Sequence, residues 1–176
     1  LTKSMIQTLL HGGVSAEEVL EQINPLVGGM FSAPEAAALA VQVVQKNPTL
    51  KVAEKALAKI EWILKVIFDP KQIECLSKEG YAPKVAKALI EVLQAVPEAV
   101  LAKKALGLVK SFHKKYAPEV TKIVIEIVKI DPKLVKDVVQ VLIMNNAQDC
   151  AVELLKAMPW LASEAIEKHS GYLLYD

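Results

Sequence analysis

The sequence contains no arginine, and all 21 basic side chains among its 176 residues are lysines. Arginine is the side chain that reads guanine or phosphate through paired hydrogen bonds, because its guanidinium group is planar and forked. The 20 acidic residues leave a formal net charge of only +1. Such a balance gives no general attraction to nucleic acid or to an acidic membrane. Sequence-specific nucleic-acid binding is therefore not expected.

Aromatic residues and glycine are also scarce. Apolar residues make up 53% of the chain, but aromatics only 5%, and there are 7 glycines. The apolar residues are mainly Ala, Val, Leu and Ile, which favour closely packed helices over a β-sandwich. No apolar run approaches the 18 residues that a membrane-spanning helix requires, so no transmembrane segment is predicted. The length allows one domain with a sizeable core.

The two cysteines, Cys75 and Cys150, have no CxxC or CxxH motif beside them. Isolated thiols are typical of a reducing compartment, where cysteine behaves as a small buried hydrophobe. We therefore expect an intracellular location, in the cytoplasm or in an organelle reached after removal of a targeting peptide. The chain begins at Leu1 rather than Met, which fits a removed segment and a piece of a longer polypeptide equally well.

No pattern of catalytic or metal-ligating residues is present. The histidines, His11, His113 and His169, each lie near a predicted helix end, where the helix dipole favours them. Many carboxylates lie at helical spacing from lysines and form solvated pairs. Dinucleotide-binding, P-loop, zinc-protease and serine-hydrolase motifs are absent. The sequence thus predicts no catalytic residue, no metal site and no cofactor, and hence a protein that is not an enzyme.

The sequence does contain an internal repeat. Three segments begin with Ala-Pro and reach a second proline 14 residues after the first. Counted from the first proline, positions +2, +5, +6, +9 and +10 are apolar in every copy, which is one stripe at the helical period. In order, the stripe residues are Ala36, Leu39, Ala40, Val43 and Val44, then Val85, Ala88, Leu89, Val92 and Leu93, then Val120, Ile123, Val124, Ile127 and Val128.

A second amphipathic helix follows each of these segments. Proline is favoured at the first helical position, so Pro48, Pro97 and Pro132 are predicted to begin the second helices. Asn47 and Asp131 precede two of these prolines, where a side-chain oxygen can cap the next helix. Each repeat is therefore predicted to be a helical hairpin, with the first one extended to about residue 68.

Residues 72–112 resemble an armadillo repeat. Gly80 stands where the short first helix of that family ends, Leu89 and Leu93 lie on the second helix, and the pair Ala105-Leu106 lies on the third. The other two units are similar to HEAT hairpins. The resemblance implies an all-α fold, a right-handed superhelix of about three stacked hairpins, whose second or third helices line a protein-binding surface.

The expected organisation is one helical-repeat domain over residues 1–176. Irregular N-terminal helices occupy 1–30, where Ser15 and Glu18 form a capping box that begins a short helix. The repeat units are 32–68, 69–114 and 116–145. C-terminal helices and a tail occupy 147–176.

The functional expectation is a non-catalytic interaction scaffold, a subunit of a larger assembly that binds other protein subunits. The mean hydropathy of +0.31 and the extra apolar residues Val41, Ile90 and Ile125 provide more apolar surface than one small core needs. Residues 51–115 carry 13 lysines against 7 acidic residues, which fits an acidic partner surface or a solvated face. A second hypothesis stays open, a carrier of a small apolar ligand (lipid or pigment) held between helices.

Overall fold

The computed structural model describes residues 4, 7–8, 11–23, 33–68, 81–110, 117–144 and 148–157. Within these ranges the chain forms eight α-helices and no β-strand, which confirms the predicted all-α class. A 3₁₀ turn, Pro132–Leu134, directly precedes the seventh helix. The helices are α1 Ala16–Gln22, α2 Ala33–Lys46, α3 Leu50–Phe68, α4 Tyr81–Ala95, α5 Ala99–Val109, α6 Ala117–Ile130, α7 Val135–Met144 and α8 Gln148–Ala157.

The chain divides into two compact units, residues 1–97 and 98–176. In the first unit α2, α3 and α4 pack against one another, and α1 packs on α2 and α3. In the second unit α6 packs against α5, α7 and α8, and α7 also packs against α8. The boundary falls between α4 and α5, the two helices assigned above to the repeat unit 69–114. The single domain and its superhelix stay predictions.

The repeated apolar stripes form the helix-packing core of the units. All fifteen stripe residues on α2, α4 and α6 are buried, as the 3.6-residue period predicts. Fully burying a Val, Leu or Ile side chain stabilises a fold by roughly 1.5–3 kcal/mol. Of the three extra apolar residues, Val41 is buried as well, whereas Ile90 and Ile125 are half-buried. Part of the apolar excess is therefore used inside the first unit.

The starts of two of the three second helices correct the sequence prediction. Helix α3 begins at Leu50 rather than Pro48, because the Thr49 Oγ1 accepts a hydrogen bond from the Val52 N–H at 3.3 Å. Helix α5 begins at Ala99, after Glu98 in an extended conformation. The first N–H groups of a helix need hydrogen-bond acceptors from a residue that precedes the helix. For α3 and α5 that residue is Thr49 and Glu98, and each directly follows the proline.

Pro132 does stand at a helical start, as predicted. The Asp131 carboxylate accepts a hydrogen bond from the Lys133 N–H at 3.2 Å, and the 3₁₀ turn continues into α7. Proline loses nothing at this position, because its missing N–H would have no intrahelical partner.

The N-terminal capping box is confirmed, and one described helix lies within the region assigned above to C-terminal helices. The Ser15 hydroxyl accepts a hydrogen bond from the Glu18 N–H at 3.2 Å and caps α1. The helical segment before α1 ends at the pair Gly12-Gly13. The Gly12 N–H donates to the Thr8 carbonyl, and the φ of Gly13 is +87°. Helix α3 ends at Phe68 and α8 spans Gln148–Ala157.

The short helix implied before Gly80 and the predicted C-terminal segment beyond Ala157 lie outside the described residues. Among the residues that are described, none of the helices is both long and apolar enough to cross a membrane.

A groove between α1 and α3 as the candidate binding site

A groove of about 250 Å³ lies between α1 and α3 in the first unit. Each helix contributes residues spaced three or four apart, so each presents a single face to the groove. The exposed lining is mostly apolar, with charged side chains of both signs. The lining residues, which define the α1–α3 groove, are Glu17, Leu20, Glu21, Lys55, Ala58, Lys59 and Trp62.

Trp62 is the largest apolar side chain at this groove, and 43% of it is exposed. Its neighbours along α3, Ile60 and Ile63, are fully buried. Helix α3 therefore fills the core with one face and leaves an indole ring at the surface on another. Exposed tryptophan is a residue that contributes much of the free energy in protein interfaces, because its ring buries a large area and its N–H remains available for hydrogen bonding.

Lys59 lies over this ring, with its Nζ 5.8 Å from the centroid of the Trp62 ring. At that distance the ammonium is attracted to the electron-rich face of the indole. Burial lowers the pKa of Lys59, and the negative charge of Glu21 opposes this shift. Desolvation makes the charged form of a half-buried ammonium less favourable. A carboxylate that comes close stabilises that charged form. The groove thus combines an aromatic surface with a cation.

A charged network connects the two helices along one side of the groove. The Glu17 carboxylate contacts the Nζ of Lys55 at 2.9 Å and the Nζ of Lys51 at 3.1 Å. Lys55 also lies 3.8 Å from Glu21. Hydrogen bonds from Lys55 and then Lys51 lower the pKa of Glu17, and the hydrogen bond to Glu17 raises the pKa of Lys55. The network holds α1 against α3.

The groove offers apolar surface beside charged side chains. Its seven lining residues include no hydroxyl, thiol or imidazole, and its ionisable groups are two glutamates and two lysines. The carboxylate of Glu17 is already held by two lysines. What remains accessible is apolar surface with charges at its edge.

The histidines and cysteines considered for chemistry in the sequence lie elsewhere. His11 is exposed, at the end of the N-terminal helical segment, and Cys150 belongs to α8. Cys75, His113 and His169 lie outside the described residues. Within the described ranges, no three His, Cys, Asp or Glu side chains are grouped closely enough to hold a metal ion.

Sequence reasoning missed Trp62, although a signal was available. The buried residues of α3 follow one helical stripe, and Trp62 falls outside it, on the face that carries Lys55 and Lys59. A large apolar residue among lysines on a polar helix face is a sign of an interaction surface.

Comparison with models of protein families, with curated protein sequences and with solved structures found no match. The function is therefore inferred from the geometry of the chain itself.

Proposed function

We propose that the chain is a non-catalytic protein-interaction scaffold, a subunit of a larger assembly, which binds a partner protein through the α1–α3 groove. The exposed ring of Trp62 beside the groove is the observation that carries the proposal. The partner presents an apolar side chain flanked by a carboxylate. The apolar group packs against Leu20, Ala58 and Trp62, and the carboxylate approaches Lys59.

The size of the groove favours a protein partner over a carried lipid or pigment. Pockets that enclose a small molecule usually measure about 300–1,000 Å³ and bury most of the ligand. The α1–α3 groove holds about 250 Å³ and opens to solvent. It accommodates a side chain that projects from a larger surface, while the rest of the partner covers the edge and excludes water.

The position of the groove also agrees with the repeat architecture that we infer. In a superhelix of stacked hairpins the later helices of the repeats line the binding surface. Trp62 lies on α3, which is the second helix of the first predicted hairpin. Its lysine-containing face fits the acidic partner surface expected from the charge of residues 51–115.

The test compares Trp62→Ala with Val152→Ala, a matched control because 42% of Val152 is exposed, on α8. Wild-type and variant chains are immobilised and exposed to an extract of the cells from which the protein comes. Retained proteins are identified by mass spectrometry, and the molar mass of the purified complex is measured by light scattering. We expect a stoichiometric partner with wild type and Val152→Ala. Trp62→Ala weakens its binding about 30-fold or more, since loss of such an anchor costs about 2 kcal/mol or more.

Folding of the variants is checked by circular dichroism, because more than half of Trp62 is covered in the native fold and its truncation also removes packing contacts. Retention that does not depend on Trp62 contradicts the proposal. The proposal is also contradicted if organic extraction of the wild type recovers one equivalent of lipid or pigment and Trp62→Ala yields less. The second result favours the apolar-ligand carrier.

A further inference from the structure

The outward face of α5 is a basic strip in the second compact unit. The inward face is buried in the core through Leu101, Ala102, Ala105, Leu106, Leu108 and Val109. The helix contains no acidic residue, and Val100 at its start is 50% exposed. Residues three, four and seven apart share one side of a helix. The exposed residues, which define the α5 strip, are Val100, Lys103, Lys104, Gly107 and Lys110.

Gly107 stands in the middle of this strip, where the described fold gives no reason for a glycine. Glycine is a poor helix former, because it loses more backbone freedom on folding than any other residue. A Cβ built on Gly107 meets no described atom within 4 Å, so none of the described neighbours requires the missing side chain. What the glycine does provide is a helix backbone that another chain can approach closely.

We propose that the α5 strip binds an acidic protein segment whose backbone passes over Gly107 and whose carboxylates contact Lys103, Lys104 and Lys110. Seven residues separate Lys103 from Lys110, which corresponds to about 10.5 Å along the helix axis. A partner helix with acidic residues seven apart presents its carboxylates at the same separation. The charges of the two helices are then complementary along the strip.

Other polyanions fit the strip less well. Duplex DNA and RNA are bound most specifically by the forked guanidinium of arginine, which the chain lacks. A helix that lies on a membrane needs a broad apolar face to insert among the lipids. The apolar face of α5 is already buried in its own unit, and its outward face offers only Val100.

This second surface goes beyond the groove proposed above and does not depend on it. The α5 strip belongs to residues 98–176, whereas the α1–α3 groove belongs to residues 1–97. All variants that test the strip keep Trp62 and Lys59 unchanged, so either proposal can fail while the other stands.

The experiment titrates the ¹⁵N-labelled full chain with a helical alanine-based peptide of about 22 residues. Its glutamates stand seven apart, and a scrambled peptide of the same composition is the control. We expect saturable amide shifts centred on α5, and weaker binding of the scrambled peptide. The double variant Lys103→Glu/Lys104→Glu loses at least about tenfold in affinity. The matched control is Lys133→Glu/Lys136→Glu, which reverses two exposed lysines of the same unit, and it changes affinity by less than about threefold.

Two substitutions test the role of Gly107. Gly107→Ala raises the melting temperature by about 2 °C, because alanine is the better helix former, and it preserves binding. Gly107→Leu also folds, since the site is open, but its side chain obstructs the approach and weakens binding at least about tenfold. A lower melting temperature for Gly107→Ala overturns the proposal, because the glycine would then serve the fold.

The proposal is also overturned if the peptide gives no saturable shifts on α5 or if both charge-reversal pairs weaken it equally. Duplex DNA and vesicles containing phosphatidylserine are tested in the same way. If either binds more tightly than the peptide, and Lys103→Glu/Lys104→Glu abolishes that binding, the proposal is overturned and the strip is assigned to that other partner.

Discussion

At the scale of single residues, Glu17 has the most closely defined surroundings of any charged group near the groove. Its carboxylate is shared between Lys51 and Lys55, which lie one turn apart on α3. Exposed ion pairs of this kind contribute little singly, and a network of several charges contributes more than an isolated pair. Glu17 thus connects α1 to α3 and also lines the groove.

The lowered pKa of Glu17 predicts a pH-dependent contribution to stability. Its folded pKa lies below the ordinary 4.5, so the unfolded state binds the proton more readily. The contribution is present above pH 4.5 and is lost as the pH falls through the folded pKa. We expect Glu17→Gln to be less stable than wild type at pH 7, and the difference to shrink as the pH falls below 4.5.

Urea denaturation at several pH values measures this difference. Glu18→Gln is the control, since it neutralises the adjacent carboxylate of the same helix. A difference between Glu17→Gln and wild type that stays constant from pH 7 to about pH 3 would show that the two lysine contacts do not stabilise the fold.

At the scale of helices, the sequence predicted which face of each helix is buried. It predicted the residues at which helices begin only in part. The buried face of α2 or α6 follows directly from the 3.6-residue period, because helix geometry fixes which residues share a side. The start of α3 depends on which of two nearby side-chain oxygens, on Asn47 or Thr49, reaches a backbone N–H of the first turn. The two alternatives differ by only about two residues of backbone path, and both residue types cap helices. Pattern alone does not separate them.

The start of α3 yields a direct test of capping. Thr49→Ala removes the oxygen that accepts the Val52 N–H and is expected to lower the free energy of unfolding by about 1 kcal/mol. Asn47→Ala is expected to change it by no more than about 0.5 kcal/mol, since α3 begins beyond it. Chemical denaturation followed by circular dichroism compares the two variants. A larger loss for Asn47→Ala would restore the helix start at Pro48 that the sequence predicted.

The groove was beyond sequence prediction for a related reason. Periodicity shows that Trp62 lies outside the buried stripe, but it does not show that the face carrying Leu20 on α1 lies opposite. Which helices become neighbours is decided by packing between segments that are distant in the chain. For the same reason the sequence did not predict that the chain divides into two units between Pro97 and Glu98.

At the scale of the whole molecule, charge is nearly balanced, with 21 lysines, 20 acidic residues and 3 histidines. Near neutral pH the chain therefore has little net repulsion between copies, although each copy carries many charges. Proteins in this condition associate more readily than those with a large net charge.

This balance predicts weak repulsion between copies at pH 7.5, where the formal net charge is +1. We expect the second virial coefficient, measured by static light scattering at pH 7.5, to change little between low salt and about 0.5 M salt, because screening has little net charge to act on. A coefficient that falls strongly on addition of salt would contradict this account.

Helix α3 carries the buried Ile60 and Ile63 on one face and the exposed Trp62 on another. This separation has a consequence for the evolution of the protein. The two isoleucines hold the fold, while Trp62 and Lys59 lie on the outward face and are not part of that core. On the proposal that the groove binds a partner protein, mutation on the outward face alters the choice of partner and leaves the buried side chains of the helix unchanged. After gene duplication, one copy would then retain the proposed partner while the other acquires a new one on an unchanged core.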